Sequence, residues 1–269
     1  MIIFTDGSTF NNGKKNAFGG CAVYIPKQGD IESISISYSL KSTEKIKVTN
    51  QISELIGAII GIETAISITD DTIYIYTDSK YVMDCATSWY KAWISHDWKK
   101  SNGKCVDNIW LVYRLIQLTK KYPIIFKHIR SHTEEPKNKN SNEYNLWLGN
   151  DTADKLAQDA SKSIIELRDD VKSLNWNSLA IILIQGMKKD CKCGIPFCKN
   201  IISFYKNTFD MLVDVDVDID TDQENNSNNS NNSNNSNNDN DIEYTDNEMS
   251  EKKKKPIRVT VSTSKYQEI

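Results

Sequence analysis

The chain has 269 residues, a formal net charge of −3 and six cysteines. This length allows one or two domains, and the charge balance lacks the overall basic character that marks many nucleic-acid-binding proteins. No apolar stretch approaches the roughly 20 residues that a membrane-spanning helix needs, so we expect no membrane partner. Six cysteines in a chain of this length indicate reduced thiols, not a disulfide scaffold, so we expect an intracellular protein, cytoplasmic or nuclear and not secreted.

The first part of the chain predicts three strands followed by a helix. Residues 2–5 form an apolar run, residues 19–26 form a second run that Pro26 ends, and residues 31–40 alternate between apolar residues and serine. Strict alternation is typical of a strand with one buried and one wet face. Apolar residues then recur at helical spacing over about 50–67, which predicts an amphipathic helix.

The next segment mixes strands and helices. We predict strands at 72–77 and 124–129 and helices at 79–90, 107–121 and 150–164. The order βββαβααβα contains a strand–helix–strand crossover. It therefore predicts an α/β fold with a mixed sheet and helices on both faces.

The remainder of the chain divides by composition. We predict an α/β domain over residues 1–165 and a helical appendage of unknown role over 166–212, where apolar clusters recur. Residues 213–269 contain Asn-Asn-Ser repeats and a lysine run at 252–255. Such a segment has too little apolar surface to offset its ordering entropy, so we predict a disordered acidic, Asn-rich tail with a basic patch.

Four acidic residues stand in distinctive local settings. Asp6 and Asp78 follow apolar runs, whereas Glu54 and Asp154 lie on predicted helices. Each alone is typical of an ordinary cap, turn or helix-surface position. Two carboxylates at strand ends and two on helices can nevertheless converge, and such a cluster needs a cation. Hard oxygen ligands suit Mg²⁺ or Mn²⁺, and two such ions roughly 3.5–4 Å apart can cleave a phosphodiester.

These settings, in this order, resemble the motifs of the type 1 (retroviral-type) ribonuclease H family. The resemblance covers residues 1–162 and involves five motifs: Asp6-Gly7-Ser8, Thr49-Asn50-Gln51 with Glu54, Thr77-Asp78-Ser79, Arg130-Ser131-His132, and Asn150 through Asp154. It implies a ribonuclease-H-like fold whose five-stranded mixed sheet has the order 3-2-1-4-5. It also implies an endoribonuclease that hydrolyses the RNA strand of RNA–DNA hybrids with two Mg²⁺ or Mn²⁺ ions, giving 5′-phosphate and 3′-hydroxyl ends.

The resemblance assigns catalytic roles to five residues. Asp6, Glu54, Asp78 and Asp154 are expected to hold the metal ions, with Asp6 bridging them, and His132 is expected to assist catalysis. In the family, Asp154 shares the ion that activates water, and the other ion steadies the leaving oxygen. His132 and Asp154 are 22 positions apart, more than is usual in the family, so we expect an enlarged flap between them.

The resemblance also implies contacts with the hybrid. The expected contacts are Asn12, Lys47, Thr49, Asn50, Gln51, Ser79, Trp98, Lys99, Lys100, Lys104, Asn108 and Asn150. Amides such as Asn50 are expected to read minor-groove atoms and ribose 2′-hydroxyls. Lys47, Thr49 and Asn108 are expected to hold a phosphate of the DNA strand. Trp98 and the three lysines after it resemble a basic protrusion. Trp89 and Trp93 fit a nucleic-acid groove and a protein core equally well.

Several alternatives stay open. A DNA nuclease of the same fold, of resolvase or integrase type, is disfavoured by Asn50 and Gln51, since DNA has no 2′-hydroxyl to read. A non-catalytic hybrid-binding protein is a second alternative, and residues 166–269 can serve a replication-protein partner. Cys191, Cys193 and Cys198 lack a nearby fourth ligand, so we expect no zinc. The Asn-rich tract suggests a virus or protist with an AT-rich genome, and a viral protein would act at the replication site.

Overall fold

The computed structural model describes residues 1–166, 168–189, 199–209, 212–216 and 258–262. The strands of its main sheet are β1 (Ile2–Phe10), β2 (Phe18–Ile25), β3 (Ile34–Lys41), β4 (Ile73–Thr77) and β5 (Ile124–His128). Their order is β3-β2-β1-β4-β5, with β1, β4 and β5 parallel and the other pairs antiparallel. The expected mixed five-stranded sheet is therefore confirmed.

Seven α-helices and one π-helical turn are described. They are α1 (Asn50–Ile66), α2 (Lys80–Asp84), the π-helical turn (Cys85–Trp89), α3 (Tyr90–Ser95), α4 (Ile109–Lys121), α5 (Asn142–Glu166), α6 (Trp176–Lys189) and α7 (Lys199–Phe209). Two consecutive glycines of β2 show that α1 and α5 cover opposite faces of the sheet. A Cβ on Gly19 would meet Ser53 of α1, whereas one on Gly20 would meet the carbonyl oxygen of Ala157 on α5.

Strand β1 is longer than the apolar run from which we predict it. We expected a strand over 2–5 with Asp6 at its end, but β1 continues to Phe10 because β2 pairs with it as far as Phe18. The parallel neighbour β4 stops at Thr77. Residues 2–4 pair with residues 74–76, and the same offset sets Asp6 level with Asp78. Asp6 thus lies within its strand, at the point where the adjacent strand ends.

Helix α5 begins earlier than predicted. Its first residue is Asn142, and Ser141 Oγ accepts a hydrogen bond from the backbone N–H of Tyr144 at 3.1 Å, which caps the first turn. The enlarged flap between His132 and Asp154 is therefore only partly loop. Residues 129–141 form the connection, and the remaining additional residues form helical turns that lead into the site.

The helices expected within 174–212 are present and share the core of the sheet domain. Leu183 and Tyr205 are buried in the same hydrophobic cluster as Leu115 of α4. The segment before α6 runs along the edge of β3, where the Leu174 N–H donates to the Ser39 carbonyl at 2.8 Å. Ser39 is consequently buried, although alternation placed it on a wet face. The division at residue 165 stays a prediction, because one core spans both parts.

Two short strands lie within the tail that we predicted to be disordered. β6 (Leu212–Asp216) pairs with β7 (Arg258–Ser262) in an antiparallel two-stranded sheet, consistent with the alternation of Val and Asp in β6. The rest of the tail and the cysteines at 191, 193 and 198 lie outside the described residues. Across the part of the chain that is described, no helix combines the length and apolarity needed to cross a bilayer.

Candidate active site

The four acidic residues of the sequence motifs surround one cleft. Asp6, Glu54, Asp78 and Asp154 line a depression of about 320 Å³, and His132 lines the same depression. They come from four separate elements: the middle of β1, the first turns of α1, the residue after β4 and the middle of α5. The structure therefore brings together the residues that the sequence motifs predicted to converge.

A close contact between β1 and α1 places Glu54 beside Asp6. A Cβ on Gly7 would lie 2.4 Å from the backbone nitrogen of Glu54 and 2.6 Å from the carbonyl carbon of Ser53. Only glycine leaves room for the helix backbone at this distance. The glycine after Asp6 is thus a structural requirement of the site.

Two donors hold the carboxylate of Glu54. Ser79 Oγ donates to one carboxylate oxygen at 2.5 Å, and Asn50 Nδ2 donates to the other at 2.7 Å. Ser79 also caps α2 by accepting from the Val82 N–H at 3.2 Å. Both residues were expected to contact the hybrid, and in this structure they orient a carboxylate of the cleft.

Helix α5 reaches the sheet because its buried face is made of small residues. The buried residues of α5 are Gly149, Asn150, Ala153, Ala157, Ala160, Ser161 and Ser163. A Cβ on Gly149 would lie 2.3 Å from the Phe4 ring of β1, and one on Gly20 would lie 2.2 Å from the Ala157 carbonyl oxygen. This close packing of helix on sheet brings Asp154 into the cleft.

Asp154 has a further partner that sequence reasoning missed. Gln158 lines the cleft, and its Nε2 donates to Asp154 Oδ1 at 2.8 Å. The signal was present, since residues four apart lie on the same face of a helix. Gln158 therefore orients Asp154 as Asn50 orients Glu54.

Two carboxyl groups of the cleft, those of Asp6 and Glu54, have raised pKa values. Burial raises the pKa of Asp6 well above its ordinary value, and repulsion from Asp78, Asp154 and Glu54 raises it further. Burial also raises the pKa of Glu54 to about 7, with a contribution from Asp78, against the lowering effect of the hydrogen bonds from Ser79 and Asn50. These shifts arise because several carboxylates share a poorly solvated space.

The donor set fits hard divalent cations in kind and in place. All four side chains offer carboxylate oxygens, which Mg²⁺ and Mn²⁺ prefer, and their mutual repulsion is the feature that a cation relieves. Among the described residues, however, no three Asp, Glu, His or Cys side chains are close enough to enclose an ion. Mg²⁺ normally keeps several water ligands, so an open arrangement of carboxylates is compatible with it.

His132 stands at the rim of the cleft. Its side chain is 75% exposed, and its Nδ1 lies 4.0 Å from Asp154 Oδ2. Its backbone is in the left-handed region, with φ of 50°. Trp147, on the added turns of α5, donates from Nε1 to the Thr133 carbonyl at 3.0 Å and so ties the flap to the helix.

One of the expected hybrid contacts, Trp98, is wrong, and a second, Asn150, is buried. Trp98 is only 1% exposed, and its ring centroid lies 5.4 Å from that of Tyr113 in the core. The loop turns inward at this point, where φ of Trp98 is 58° and an isolated bridge joins Lys99 to Cys105. Asn150 is buried on the inner face of α5, as Asp6 is buried in β1, and its role toward a substrate stays a prediction.

Apart from Ser79, which is buried, the remaining expected contacts lie at or near the surface. Lys47, Gln51, Lys99 and Lys104 are exposed, and Lys100 pairs with Asp107 at 2.7 Å. The others have partners within the protein. Asn12 accepts from the Asn50 N–H at 3.1 Å, Thr49 caps α1 through the Ile52 N–H at 3.2 Å, and Asn108 Nδ2 lies 3.5 Å from the Tyr81 hydroxyl. Their roles toward a substrate stay predictions.

The comparisons with known proteins match the first part of the chain. The family model described as RNase H matches residues 1–162. A ribonuclease H of Schizosaccharomyces pombe is 31% identical over 158 residues, which cover 59% of this chain and 52% of the relative. One from Blochmanniella pennsylvanica is 36% identical over 137 residues, or 51% of this chain and 83% of the relative.

Among solved structures, the fold is similar to that of LC9-RNase H1, a type 1 RNase H with the type 2 active-site motif. The TM-score is 0.46 at 20% sequence identity, and the match covers 60% of this chain and 72% of the LC9-RNase H1 chain. The chain spans about half the length of several curated relatives, including the 52% covered in the S. pombe protein and the 50% covered in a human ribonuclease H1.

Proposed function

The chain belongs to the ribonuclease H family, and from that premise we propose that it cleaves the RNA strand of RNA–DNA hybrids with two Mg²⁺ or Mn²⁺ ions. We propose 5′-phosphate and 3′-hydroxyl products. The observation that carries the proposal is the gathering of Asp6, Glu54, Asp78 and Asp154 around one cleft, where burial and the other three carboxylates raise the pKa of Asp6.

The four carboxylates would hold the metal ions. Two bound ions supply charge stabilisation for the entering and the departing oxygens of the phosphodiester. Asp6 is central in this assignment, because it is the most buried of the four and is repelled by the other three. Asp6 would hold both ions, sharing one with Asp154 and the other with Glu54 and Asp78.

The other residues of the cleft would orient these carboxylates and the substrate. Ser79 and Asn50 fix both oxygens of Glu54, and Gln158 fixes one oxygen of Asp154. Preset carboxylates lower the reorganisation that the reaction requires. His132 Nδ1 lies 4.0 Å from Asp154 and faces solvent, so it can exchange a proton with bulk water beside the site.

Selection of RNA would depend on the amides beside the cleft. Gln51 is exposed on the first turn of α1, and Asn12 and Asn50 are joined by a hydrogen bond at the same edge. A side-chain amide can both donate and accept, as a ribose 2′-hydroxyl does. Amides placed beside the cleft can therefore pair with 2′-hydroxyls, which supports an RNA strand as the strand that faces the cleft. The catalytic boundary at 165, the intracellular location and a replication partner for residues 166–269 stay predictions.

A substrate comparison tests the proposal. An RNA–DNA hybrid, the matching DNA duplex and the matching RNA duplex are each labelled on either strand and incubated with the full chain and Mg²⁺. We expect cleavage of the RNA strand in the hybrid alone. Cleavage of duplex DNA would favour the resolvase or integrase type of activity, and binding of the hybrid with no cleavage would favour a non-catalytic binding protein.

A further inference from the structure

We propose that α7 of the appendage forms one wall of a groove that binds the sugar–phosphate backbone of the hybrid, with Asn207 and Ser203 as contacts. This inference rests on the proposed function, since it names a second binding surface for the same substrate. The appendage lies beyond residues 1–162, the part of the chain that the family model matches.

The groove lies between α7 and two segments of the sheet domain. It has a volume of about 670 Å³. Lys45 and Lys47 line one side, Asn108 lies at the start of α4, and Ser203, Asn207 and Thr208 line the side formed by α7. Basic and polar side chains from segments distant in the sequence thus face one space.

The packing of α7 fixes which of its sides faces the groove. Phe204 stacks on Trp110 of α4 with ring centroids 5.0 Å apart and an angle of 15° between the planes. Tyr205 is buried in the shared core. Asn207 Nδ2 donates to Ser203 Oγ at 3.3 Å, so these two polar side chains form a connected pair along the groove.

Short chain segments connect the lining of the groove to that of the catalytic cleft at two places. Lys47 is three residues before Asn50, which contacts Glu54, and an extended chain covers about 10 Å over three residues. Tyr81 follows Ser79 by two residues, and its hydroxyl lies 3.5 Å from Asn108 Nδ2. Successive base pairs are about 3.4 Å apart along a duplex, so a hybrid in the cleft would pass Lys47 within about three steps.

The chemistry of the lining matches a nucleic-acid backbone. Lysines neutralise phosphates, hydroxyl and amide groups donate to phosphate oxygens, and the apolar side chains between them can pack against sugars. Asp107 also lines the groove, but its carboxylate is paired with Lys100 Nζ at 2.7 Å. The groove therefore favours a polyanion with apolar sugar faces.

Charge substitutions at Asn207 test the inference. Asn207→Asp and Asn207→Lys are introduced into the full chain carrying Asp6→Asn, which keeps the hybrid intact, and the dissociation constant of the hybrid is measured by fluorescence anisotropy at several salt concentrations. We expect Asn207→Asp to weaken binding about three- to tenfold at low salt and Asn207→Lys to tighten it by a similar factor. A folding defect would weaken both variants, so opposite signs report charge at the groove.

Gln185 provides the matched control. It is exposed on α6, beside Arg114 and Tyr122 and away from the groove, and it allows the same amide-to-carboxylate and amide-to-lysine changes. We expect Gln185→Glu and Gln185→Lys to bind as the parent does. Equal binding by both Asn207 variants, or tighter binding by both, would overturn the role of α7. Hybrid cleavage by the unmodified chain would still support the proposed function in that case. Absence of hybrid binding and cleavage by the unmodified chain would overturn both.

Discussion

Replacement of Glu54 by glutamine should stabilise the metal-free protein in a pH-dependent manner. Burial and Asp78 raise the pKa of Glu54 from 4.5 to about 7 in the folded chain. A carboxyl group with a raised pKa favours the folded state while it is protonated. Its contribution is complete below pH 4.5 and is lost as the pH rises through about 7. Glutamine does not titrate, so the variant escapes this loss.

The size of the effect follows from the pKa shift. A shift from 4.5 to about 7 corresponds to roughly 3 kcal/mol of folding free energy, at about 1.4 kcal/mol for each pH unit. Glutamine has one acceptor oxygen where glutamate has two, so one of the hydrogen bonds from Ser79 and Asn50 is weakened. That loss costs about 1 kcal/mol at every pH and leaves the pH dependence intact.

The free energy of unfolding is measured in EDTA by urea titration between about pH 5 and pH 8. We expect the difference between Glu54→Gln and the parent to grow by roughly 2–3 kcal/mol over this range in favour of the variant. Excess Mg²⁺ should reverse the order, because a cation bound to the folded state stabilises the parent more. Glu44→Gln, at an exposed loop residue, serves as control. A difference that does not vary with pH would refute the reasoning.

Three further substitutions test other parts of the site. Gly7→Ala should lower the free energy of unfolding by about 1–3 kcal/mol or more and reduce cleavage, because its Cβ would lie 2.4 Å from the Glu54 nitrogen; an unchanged thermal midpoint would contradict this contact. His132→Ala should slow turnover about a hundredfold without stopping it, and full single-turnover activity would remove His132 from the mechanism. Lys47→Ala should reduce the salt dependence of hybrid binding by about one unit of slope, and an unchanged slope would exclude a phosphate contact.

The sequence predicted the elements of the fold because their periodicities are local. Alternation over 31–40 and helical spacing over 50–67 correspond to β3 and α1 within a few residues. Strand order is a non-local property, and here it came from the family resemblance. The end of β1 could not be read from its apolar run, because pairing with β2 extends it past Asp6.

The four acids were found from their motifs, whereas the groups that position them were harder to identify. Gly7 and Gly20 are required by contacts with α1 and α5, which follow them by more than 40 and more than 120 residues. The burial of Trp98 depends on a loop that turns its ring toward Tyr113. The lysines beside it had instead predicted a protrusion that contacts the hybrid. The residue types in one segment do not predict which distant segments pack against it.

The central claim is that four carboxylates share divalent cations to cleave RNA, and Asp6→Asn tests it most directly. The substitution removes the charge of the most buried carboxylate while preserving its size. The rate of RNA-strand cleavage in a hybrid is measured with saturating Mg²⁺, alongside the affinity for the same hybrid. We expect cleavage to be abolished and affinity to be retained. Cleavage by Asp6→Asn at the parent rate would contradict the account.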